Sequence, residues 1–356
     1  MAAFDLAGLR ARIDAAVEAQ VARGGADLAE LNPEAEDLLG PIRVLLRGGK
    51  RFRPLMLYVG YRAAGRPDAD GAVRLAAAME FVQAAALIHD DVIDASDTRR
   101  GRPTVHRVLE RAHRERGWDG DGAGFGVAGA ILAGNLCLGW ADQAYDECGL
   151  PDAELARGRA TFDLMRTQLM AGQYLDVVGS VRPWQVMDGA SRIETAIRVI
   201  TYKSAKYSIQ HPLLIGARTG GADAATDAAL TEYGLELGIA FQLRDDLLGV
   251  FGDPEVTGKP AGDDLREGKR TVLIAHALDG AGRTRIEERL GDPSLTPADV
   301  EELRELITAS GAVEALEAEI TRRGEAAATA LHTADIEAEA AATLQDFIAT
   351  ATARDA

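Results

Sequence analysis

The sequence feature that most constrains this chain is an apolar run, residues 84–88, that leads into three aspartates. Each residue of a helix turns about 100°, so Asp90, Asp91 and Asp94 fall within an arc of about 100°. Three carboxylates on one helix face repel each other unless a cation lies among them. Oxygen ligands suit a hard ion such as Mg²⁺, which completes its coordination with water and phosphate oxygens. A solvated acidic helix end is the alternative, but the apolar residues upstream indicate that the acids close a buried helix.

A second acidic pair closes another apolar helical run further along the chain. Asp245 and Asp246 end this run, and Gln242 shares their face by the same angular count. A loop with two lysines, residues 257–271, follows. Two acidic helix ends accompanied by scattered basic side chains are typical of a cavity that holds a diphosphate through several metal ions.

Basic residues occur in small clusters. Residues 48–54 place three cations within four positions, after two glycines and before an apolar helix. Glycines at such a point let backbone N–H groups and basic side chains approach a phosphate, although a solvated basic turn explains the segment about as well. Arg99 and Arg100 follow the first acidic helix, and guanidinium groups pair well with phosphate. These basic clusters suit the same diphosphate that the acids would hold through metal ions.

Four polar residues within helical runs need a separate interpretation. Gln173 and Asp176 share a helix face and form either a surface pair or an outer wall of the metal site. Lys203 lies in a mostly apolar helix, where charges are seldom buried without partners. His89 precedes the first acids, and we favour a packing or hydrogen-bonding role for it over metal ligation, because the acids already suit Mg²⁺.

The overall charge and the cysteines exclude some classes of protein. Lysine and arginine total 39 against 56 aspartates and glutamates, a net charge of −17, which argues against a general binder of nucleic acid or anionic membranes. Cys137 and Cys148 match no zinc or redox spacing, so we expect reduced core thiols in a cytoplasmic protein. The N-terminal residues lack the pattern of a signal peptide. The uncharged run 124–141 is short for a membrane span, and we expect a buried helix there.

The pattern as a whole predicts an all-α fold. Apolar residues recur at helical spacing, and no convincing strand alternation occurs. Thr296, Pro297 and Asp299 mark a helix start, with a cap, a proline at the first position and an acid at the third. We expect a large single-domain helical bundle over residues 1–356, in which the two acidic helices face each other across a central cavity. Its motif-bearing core would span about 48–271, followed by structural helices over about 272–351.

At these motifs the chain resembles the trans-isoprenyl diphosphate synthases, also called polyprenyl synthetases. The motifs Gly-Gly-Lys-Arg-x-Arg-Pro, Asp-Asp-x-x-Asp before Arg-Arg-Gly, and Phe-Gln-x-x-Asp-Asp occur here in the family's order and approximate spacing. The resemblance implies the isoprenoid synthase fold and a homodimer. It also implies the condensation of isopentenyl diphosphate with an allylic diphosphate, assisted by Mg²⁺ ions that number about three per site. Water must be excluded from the cation that forms, and residues 258–268 are the expected lid.

The resemblance also assigns roles residue by residue. The metal ligands, direct or through water, would be Asp90, Asp91, Asp94, Asp176, Asp245 and Asp246. The allylic diphosphate would contact Arg99, Lys203 and Lys259. Isopentenyl diphosphate would be held by Gly49, Lys50, Arg53, Gln83 and Arg100. The catalytic set would be Asp90, Lys203, Ser204, Gln242 and Asp245, with Ser204 and Gln242 near the reacting carbons.

Three positions depart from the family's pattern. Gly249 stands where many relatives have the third acid of the second motif, so that site would depend on Asp245 and Asp246. Gln83 stands where some members have histidine, and both residues donate hydrogen bonds. Asn135 replaces an aspartate common in the family.

Product length depends, in this family, on bulky residues four or five positions before the first aspartate. Those positions are Ala86 and Ala85 here, which leave the tunnel open. Ideal helix angles put Ala86 about 40° from Asp90 but Ala85 about 140° away, which favours Ala86. Phe81, a turn further down, is the next candidate floor. We therefore expect geranylgeranyl diphosphate (C20), with a C25–C35 product as the alternative.

Two other functions explain part of the sequence pattern. A class I terpene cyclase shares the fold and an aspartate-rich motif but has no use for Lys50, Arg53 and Arg100. A non-catalytic regulatory subunit would be expected to have lost one or both acidic pairs, and both are intact. The sequence therefore favours the prenyltransferase.

Overall fold

The computed structural model describes residues 4–252 and 262–352, and almost all of them lie in helices. The prediction of an all-α fold is confirmed. The strands described in these ranges, Thr98–Arg99 and Arg102–Pro103, form one short antiparallel hairpin. The chain divides into two compact units, the first with residues 4–158 and 216–221, the second with residues 159–215 and 222–352. The single domain over residues 1–356 stays a prediction.

The first unit is built from helices before residue 158. They are α1 (Leu6–Leu31), α2 (Leu39–Leu46), α3 (Phe52–Ala63), α4 (Asp70–Ile93), α5 (Val105–Glu115) and α6 (Gly122–Asp146), with a 3₁₀ turn at Pro33–Leu38. Helix α4 is apolar around most of its circumference, which is typical of a core helix. It packs on α6, where the rings of Phe81 and Trp140 meet edge to face at 6.1 Å. This packing fixes the helix that carries the first acids.

His89 also faces α6. Its Nε2 lies 3.2 Å from the carbonyl oxygen of Ile131, and a β-carbon on Gly134 would lie 2.6 Å from Cδ2 of the ring. A side chain at position 134 would therefore displace the imidazole. The prediction of a packing, hydrogen-bonding histidine is confirmed.

Helices α4 and α6 are both long and apolar enough to cross a membrane by length and composition. In α4, 72% of the most apolar 18-residue window is buried, whereas in α6 the share is 28%. One face of α6 packs on α4 and α5, and its other face exposes Phe125, Ile131 and Leu132. The prediction of a buried helix over 124–141 is therefore wrong for half of its circumference, because nothing in the first unit covers that face.

The second unit surrounds α10 (Ala224–Phe251). Its other elements are α8 (Gly189–Val199), a π-helical segment (Ile200–Gln210), α11 (Asp263–Arg266), α12 (Val272–Ala277), α13 (Arg283–Arg289), α14 (Pro297–Ala309), α15 (Ala312–Leu331), α16 (Ala338–Thr352) and a 3₁₀ turn at Trp184–Val186. Helices α7 (Asp152–Val181) and α9 (His211–Gly220) run from one unit into the other. The π-helical segment, α15 and α16 cover α10. The predicted start of α14 is confirmed, since Thr296 and Asp299 form a capping box.

The two cysteines lie in the first unit. Both are buried and neither forms a disulfide. Burial raises the pKa of the Cys137 thiol to about 12 and also raises the pKa of Cys148. The prediction of reduced core thiols is confirmed, and thiols of this kind are chemically inert.

Candidate active site

The first acid pair ends helix α4, where Asp90 is half-buried and Asp91 is 2% exposed. Arg99 binds Asp91 through Nε at 2.8 Å and through Nη2 at 2.7 Å, and the same Nη2 lies 3.7 Å from Asp90. Burial raises the pKa of Asp91, and the hydrogen bond from Arg99 opposes that rise. Asp94 caps the helix and is exposed. Asp91 therefore holds Arg99, while Asp90 and Asp94 stay accessible.

A small hairpin aims the two arginines in different directions. Its strands pair Arg99 with Arg102, and the turn between them is Arg100-Gly101. Both turn residues have positive φ, 52° and 70°, as a two-residue type I′ turn requires. Arg99 thus returns to the acids of α4, whereas Arg100 is exposed at the tip. A β-carbon on Gly49 would lie 3.8 Å from Nη1 of Arg100, so the structure brings together two residues predicted to bind isopentenyl diphosphate.

The basic loop before α3 is shaped by a buried arginine that the sequence interpretation did not single out. Arg51 adopts a left-handed conformation with φ 50° and is 5% exposed. Its Nε binds Asp14 at 2.6 Å, Nη1 binds Glu80, and Nη2 donates to the carbonyl of Leu46 at 2.6 Å. With Arg51 fixed inward, its neighbour Lys50 is exposed. The sequence signal for this role was that the cluster contains three cations, whereas two are enough to bind an anion.

We expect Arg51→Met to lower the free energy of unfolding by about 3–5 kcal/mol, because Asp14 and Glu80 would lose a buried partner. Equilibrium unfolding in urea measures the change. The matched control is Arg47→Met, at an exposed position in the same loop, with an expected change within about 0.5 kcal/mol. A loss below about 1 kcal/mol for Arg51→Met would contradict the structural role of these ion pairs.

The second acid pair repeats the pattern of the first near the end of α10. Asp245 is half-buried and Asp246 is 6% exposed. The side-chain amide of Gln242 donates to Oδ1 of Asp246 at 2.9 Å. Burial raises the pKa of Asp246 to about 8, the Gln242 hydrogen bond opposes this, and the charges of Asp264 and Asp245 add to it. At each helix end an accessible aspartate is thus followed by a buried aspartate that a neighbouring side chain holds.

The π-helical segment carries Lys203 and Ser204. A β-carbon on Gly172 of α7 would lie 2.5 Å from the backbone nitrogen of Lys203, and one on Gly238 of α10 would lie 2.8 Å from the Cα of Ala205. Glycines on both neighbours therefore allow the segment to pass very close. Nζ of Lys203 lies 2.5 Å from Oδ2 of Asp176, so two predicted site residues are in contact. π-helical geometry is rare in proteins and is frequently found at functional sites.

The remaining predicted residues differ in what the structure says of them. Arg53, Gln83, Ser204 and Gln242 are half-buried. Lys259 and the first part of the predicted lid, residues 258–261, lie outside the described residues. Sequence interpretation missed Asp264, which lies beside α10 at 7% exposure. Its signal was present, because the loop 257–271 contains a pair of adjacent aspartates.

The acids fit Mg²⁺ better than a metal held by protein alone. Among residues 4–252 and 262–352, no group of three or more histidine, cysteine, aspartate or glutamate side chains lies close enough to enclose an ion. Mg²⁺ usually takes one or two carboxylates and keeps water or phosphate oxygens in its other positions. At Asp90 and at Asp245, one accessible carboxylate lies beside a buried one. This arrangement offers Mg²⁺ one or two carboxylates and leaves its other positions to water or phosphate oxygens.

Comparison with known proteins decides the family. The polyprenyl synthetase family model matches residues 35–307. This chain belongs to the polyprenyl synthetase family. The prenyltransferase is 33% identical over 277 residues to a geranylfarnesyl diphosphate synthase from Aeropyrum pernix, covering 77% of this chain and 80% of that relative. It is 34% identical over 267 residues to a geranylgeranyl diphosphate synthase from Mycobacterium tuberculosis, covering 74% of this chain and 69% of that relative.

Solved structures agree with the sequence relatives. A geranylgeranyl pyrophosphate synthase from Corynebacterium glutamicum, complexed with isoprenyl diphosphate and magnesium, superposes with a TM-score of 0.91 at 39% identity, covering 99% of this chain and all of the other. A polyprenyl synthase from Caulobacter crescentus, complexed with calcium and isoprenyl diphosphate, gives a TM-score of 0.75 at 30% identity, over 97% and 98% of the two chains. The predicted family, all-α isoprenoid synthase fold and prenyltransferase activity are thereby confirmed.

Proposed function

We propose that this prenyltransferase condenses isopentenyl diphosphate with dimethylallyl, geranyl or farnesyl diphosphate and makes geranylgeranyl diphosphate. One observation carries the assignment of the site. Both acidic helices end with an accessible aspartate followed by a buried one, held by Arg99 in one case and by Gln242 in the other. Such paired acids suit a diphosphate that is bound through shared cations, and both pairs would act on the same diphosphate.

The proposed metal ligands are the accessible acids Asp90, Asp94 and Asp245, with Asp91, Asp176 and Asp246 assisting directly or through water. When bound, Mg²⁺ ions, about three per site, neutralise the diphosphate and stabilise the charge that develops on the departing pyrophosphate. Asp90, Asp176 and Asp245 are half-buried, which supports their role, because carboxylates in a partly desolvated position interact more strongly with a cation.

The basic residues would form two sets, each of which binds the diphosphate of one substrate. Arg99 is held in place by Asp91, and Lys203 by Asp176, so both present oriented cations to the allylic diphosphate. Lys259 would join them. Isopentenyl diphosphate would be held by the set Gly49, Lys50, Arg53, Gln83 and Arg100, and the proximity of Gly49 to Arg100 supports this.

The reaction then needs little further from the protein. Ionisation of the allylic C–O bond leaves a cation, which the double bond of isopentenyl diphosphate attacks to form the new C–C bond. The attack leaves a second cation on the isopentenyl unit, and loss of a proton from the adjacent carbon to the departing pyrophosphate restores a double bond. Ser204 and Gln242 would lie near the reacting carbons. The Gln242 amide is oriented by its hydrogen bond to Asp246, which supports a fixed position during the reaction.

Burial along helix α4 supports position 86, more than position 85, as the place where the size of the side chain affects product length. Ala86 is half-exposed, on the same side as Asp90, whereas Ala85 is 0% exposed. Phe81 is also 0% exposed and packs against Trp140, which does not favour a place in the tunnel wall. A small residue at position 86 leaves room for a chain longer than C15.

The test is incubation with isopentenyl diphosphate, Mg²⁺ and either farnesyl or geranyl diphosphate, followed by sizing of the products; the C10 geranyl primer is the one that reveals a product shorter than C20. We expect C20 from the wild type and a shorter product from Ala86→Phe. Ala85→Phe is the matched control: it overpacks the core, so it should lower stability by about 1–3 kcal/mol while product length is unchanged. A C15 product alone from geranyl diphosphate in the wild type would contradict the proposed C20 product, whereas C25–C35 products would support the longer-chain alternative.

We also propose that the enzyme is a cytoplasmic homodimer that acts as one domain over residues 1–356. The exposed apolar face of α6, with Phe125, Ile131 and Leu132, supports a second copy of this chain as the occupant of that face. The buried, free cysteines support a reducing compartment.

A further inference from the structure

A buried threonine closes the base of the hairpin that carries Arg99 and Arg100. Thr104 is 2% exposed and directly follows the second strand. Its backbone N–H donates to the carbonyl oxygen of Asp97 at 3.0 Å. Its hydroxyl lies 2.9 Å from the carbonyl oxygen of Ser96 and 3.3 Å from that of Asp97. Thr104 therefore ties the residues before the first strand to the end of the second strand.

A buried histidine orients this hydroxyl. His106 is 5% exposed, and its Nδ1 lies 3.2 Å from Oγ1 of Thr104. A hydroxyl has one proton, and carbonyl oxygens only accept hydrogen bonds. Because the Thr104 proton goes to the hairpin carbonyls, Nδ1 of His106 must carry a hydrogen and donate to Oγ1. The result is a directed chain of hydrogen bonds from helix α5 through Thr104 to the hairpin.

This arrangement leaves helix α5 without a side-chain cap. Thr104 is the N-cap residue of α5, where a threonine usually accepts a hydrogen bond from the second or third helical N–H. No such bond is made by Thr104, since its hydroxyl is turned toward the hairpin. The first turn of α5 is held by helix α6 instead. A β-carbon on Gly126 would lie 3.1 Å from the backbone nitrogen of Glu110, so the two helices are in close backbone contact. The hairpin is thus attached to a firmly packed support.

The closure of the hairpin matters more for Arg100 than for Arg99. Arg99 is held by two contacts with Asp91, at 2.8 and 2.7 Å, which do not involve the hairpin base. Arg100 is exposed at the tip, in a left-handed conformation with φ 52°, so the backbone of the turn sets its direction. A hairpin that opened at its base would displace Arg100, while Asp91 would still hold Arg99.

We propose that Thr104 is a positioning residue for isopentenyl diphosphate: its hydroxyl, oriented by His106, closes the hairpin and so holds Arg100 where that substrate binds. The inference rests on the proposed function, in which Arg100 binds isopentenyl diphosphate and Arg99 binds the allylic diphosphate. Loss of the hydroxyl should therefore weaken the binding of one substrate and spare the other.

Steady-state kinetics with farnesyl and isopentenyl diphosphates and Mg²⁺ tests this separation. Thr104→Val keeps the shape of the side chain but lacks the hydroxyl, so the KM for isopentenyl diphosphate should rise about 10-fold. The KM for farnesyl diphosphate and kcat should stay within about twofold of wild type. Thr104→Ser keeps the hydroxyl and should return the KM for isopentenyl diphosphate to within about twofold of wild type.

The matched control is Thr98→Val, the same substitution at an exposed position of the same hairpin, which should change neither KM. If Thr104→Val fails to fold, His106→Leu removes the donor to Oγ1 and should raise the KM for isopentenyl diphosphate about threefold. Equal losses for both substrates, or a lower Tm with unchanged KM values, would indicate a purely structural role and overturn the inference.

Arg100→Met separates failure of the inference from failure of the proposed function. It should raise the KM for isopentenyl diphosphate at least about 10-fold. An effect of Arg100→Met without an effect of Thr104→Val would overturn the inference alone. No effect of Arg100→Met, or no consumption of isopentenyl diphosphate by the wild type, would overturn the proposed function and the inference with it.

Discussion

Asp90→Asn and Asp245→Asn are each expected to lower kcat by about 10³-fold, the largest effect of any substitution considered. Each change removes a negative charge but keeps the size of the side chain. Both positions are accessible, so the loss of a metal-binding oxygen, and not a loss of folding, is the expected cause. Steady-state kinetics with farnesyl and isopentenyl diphosphates over a range of Mg²⁺ concentrations measures kcat and the metal dependence together.

The neighbouring Asp91 provides the contrast. It is 2% exposed and bound to Arg99, so Asp91→Asn should lower the free energy of unfolding by about 3–5 kcal/mol. Asp90→Asn should change stability far less. Asp97→Asn, an exposed acid that pairs with Arg107, should alter neither activity nor stability appreciably. If Asp90→Asn retained activity, the division between an accessible metal ligand and a buried anchor would be wrong.

Leu132→Glu is expected to convert the proposed dimer into a monomer. Leu132 is 59% exposed on the apolar face of α6, next to Ile131 at 45%. Burying an uncompensated carboxylate in an apolar interface costs several kcal/mol, and each 1.4 kcal/mol is about tenfold in affinity. The dimer Kd should therefore rise by at least about 10²-fold, which sedimentation velocity over a concentration series measures.

The control for this surface is Leu31→Glu. Leu31 is 75% exposed at the end of α1 and is not part of the apolar face of α6, so the dimer should persist. A wild type that sediments as a monomer, or a Leu132→Glu variant that stays dimeric, would rule out α6 as the interface.

Both acidic helices were predictable, because the apolar runs that precede the aspartates favour a buried helix over the alternative of a solvated helix end. The hairpin at Arg99 to Arg102 was not predictable in the same way, since two-residue strands have no alternation to detect. The π-helical segment was missed for a related reason. Its geometry depends on close approach by Gly172 and Gly238, which are distant in sequence.

The candidate site shows which of its features helix angles can predict and which they cannot. The angles of an ideal helix placed Asp90, Asp91 and Asp94 within one arc but could not predict how deeply each side chain is buried. In the structure, Asp91 is buried against Arg99. The same angles did favour Ala86 over Ala85, and burial agrees with them. The contact between the Asp264 carboxylate and Gly249 was not predictable, because contacts between different helices are not visible in the sequence.

The central proposal is that Asp90 and Asp245 hold cations on one and the same diphosphate. A crystal structure with Mn²⁺ in place of Mg²⁺ and a non-ionising thiolodiphosphate analogue of the allylic substrate tests it most directly, because anomalous scattering locates each ion. We predict ions bound to Asp90 and to Asp245 that share oxygens of a single diphosphate group. Ions confined to one aspartate pair, or a diphosphate bound without either pair, would contradict the proposal.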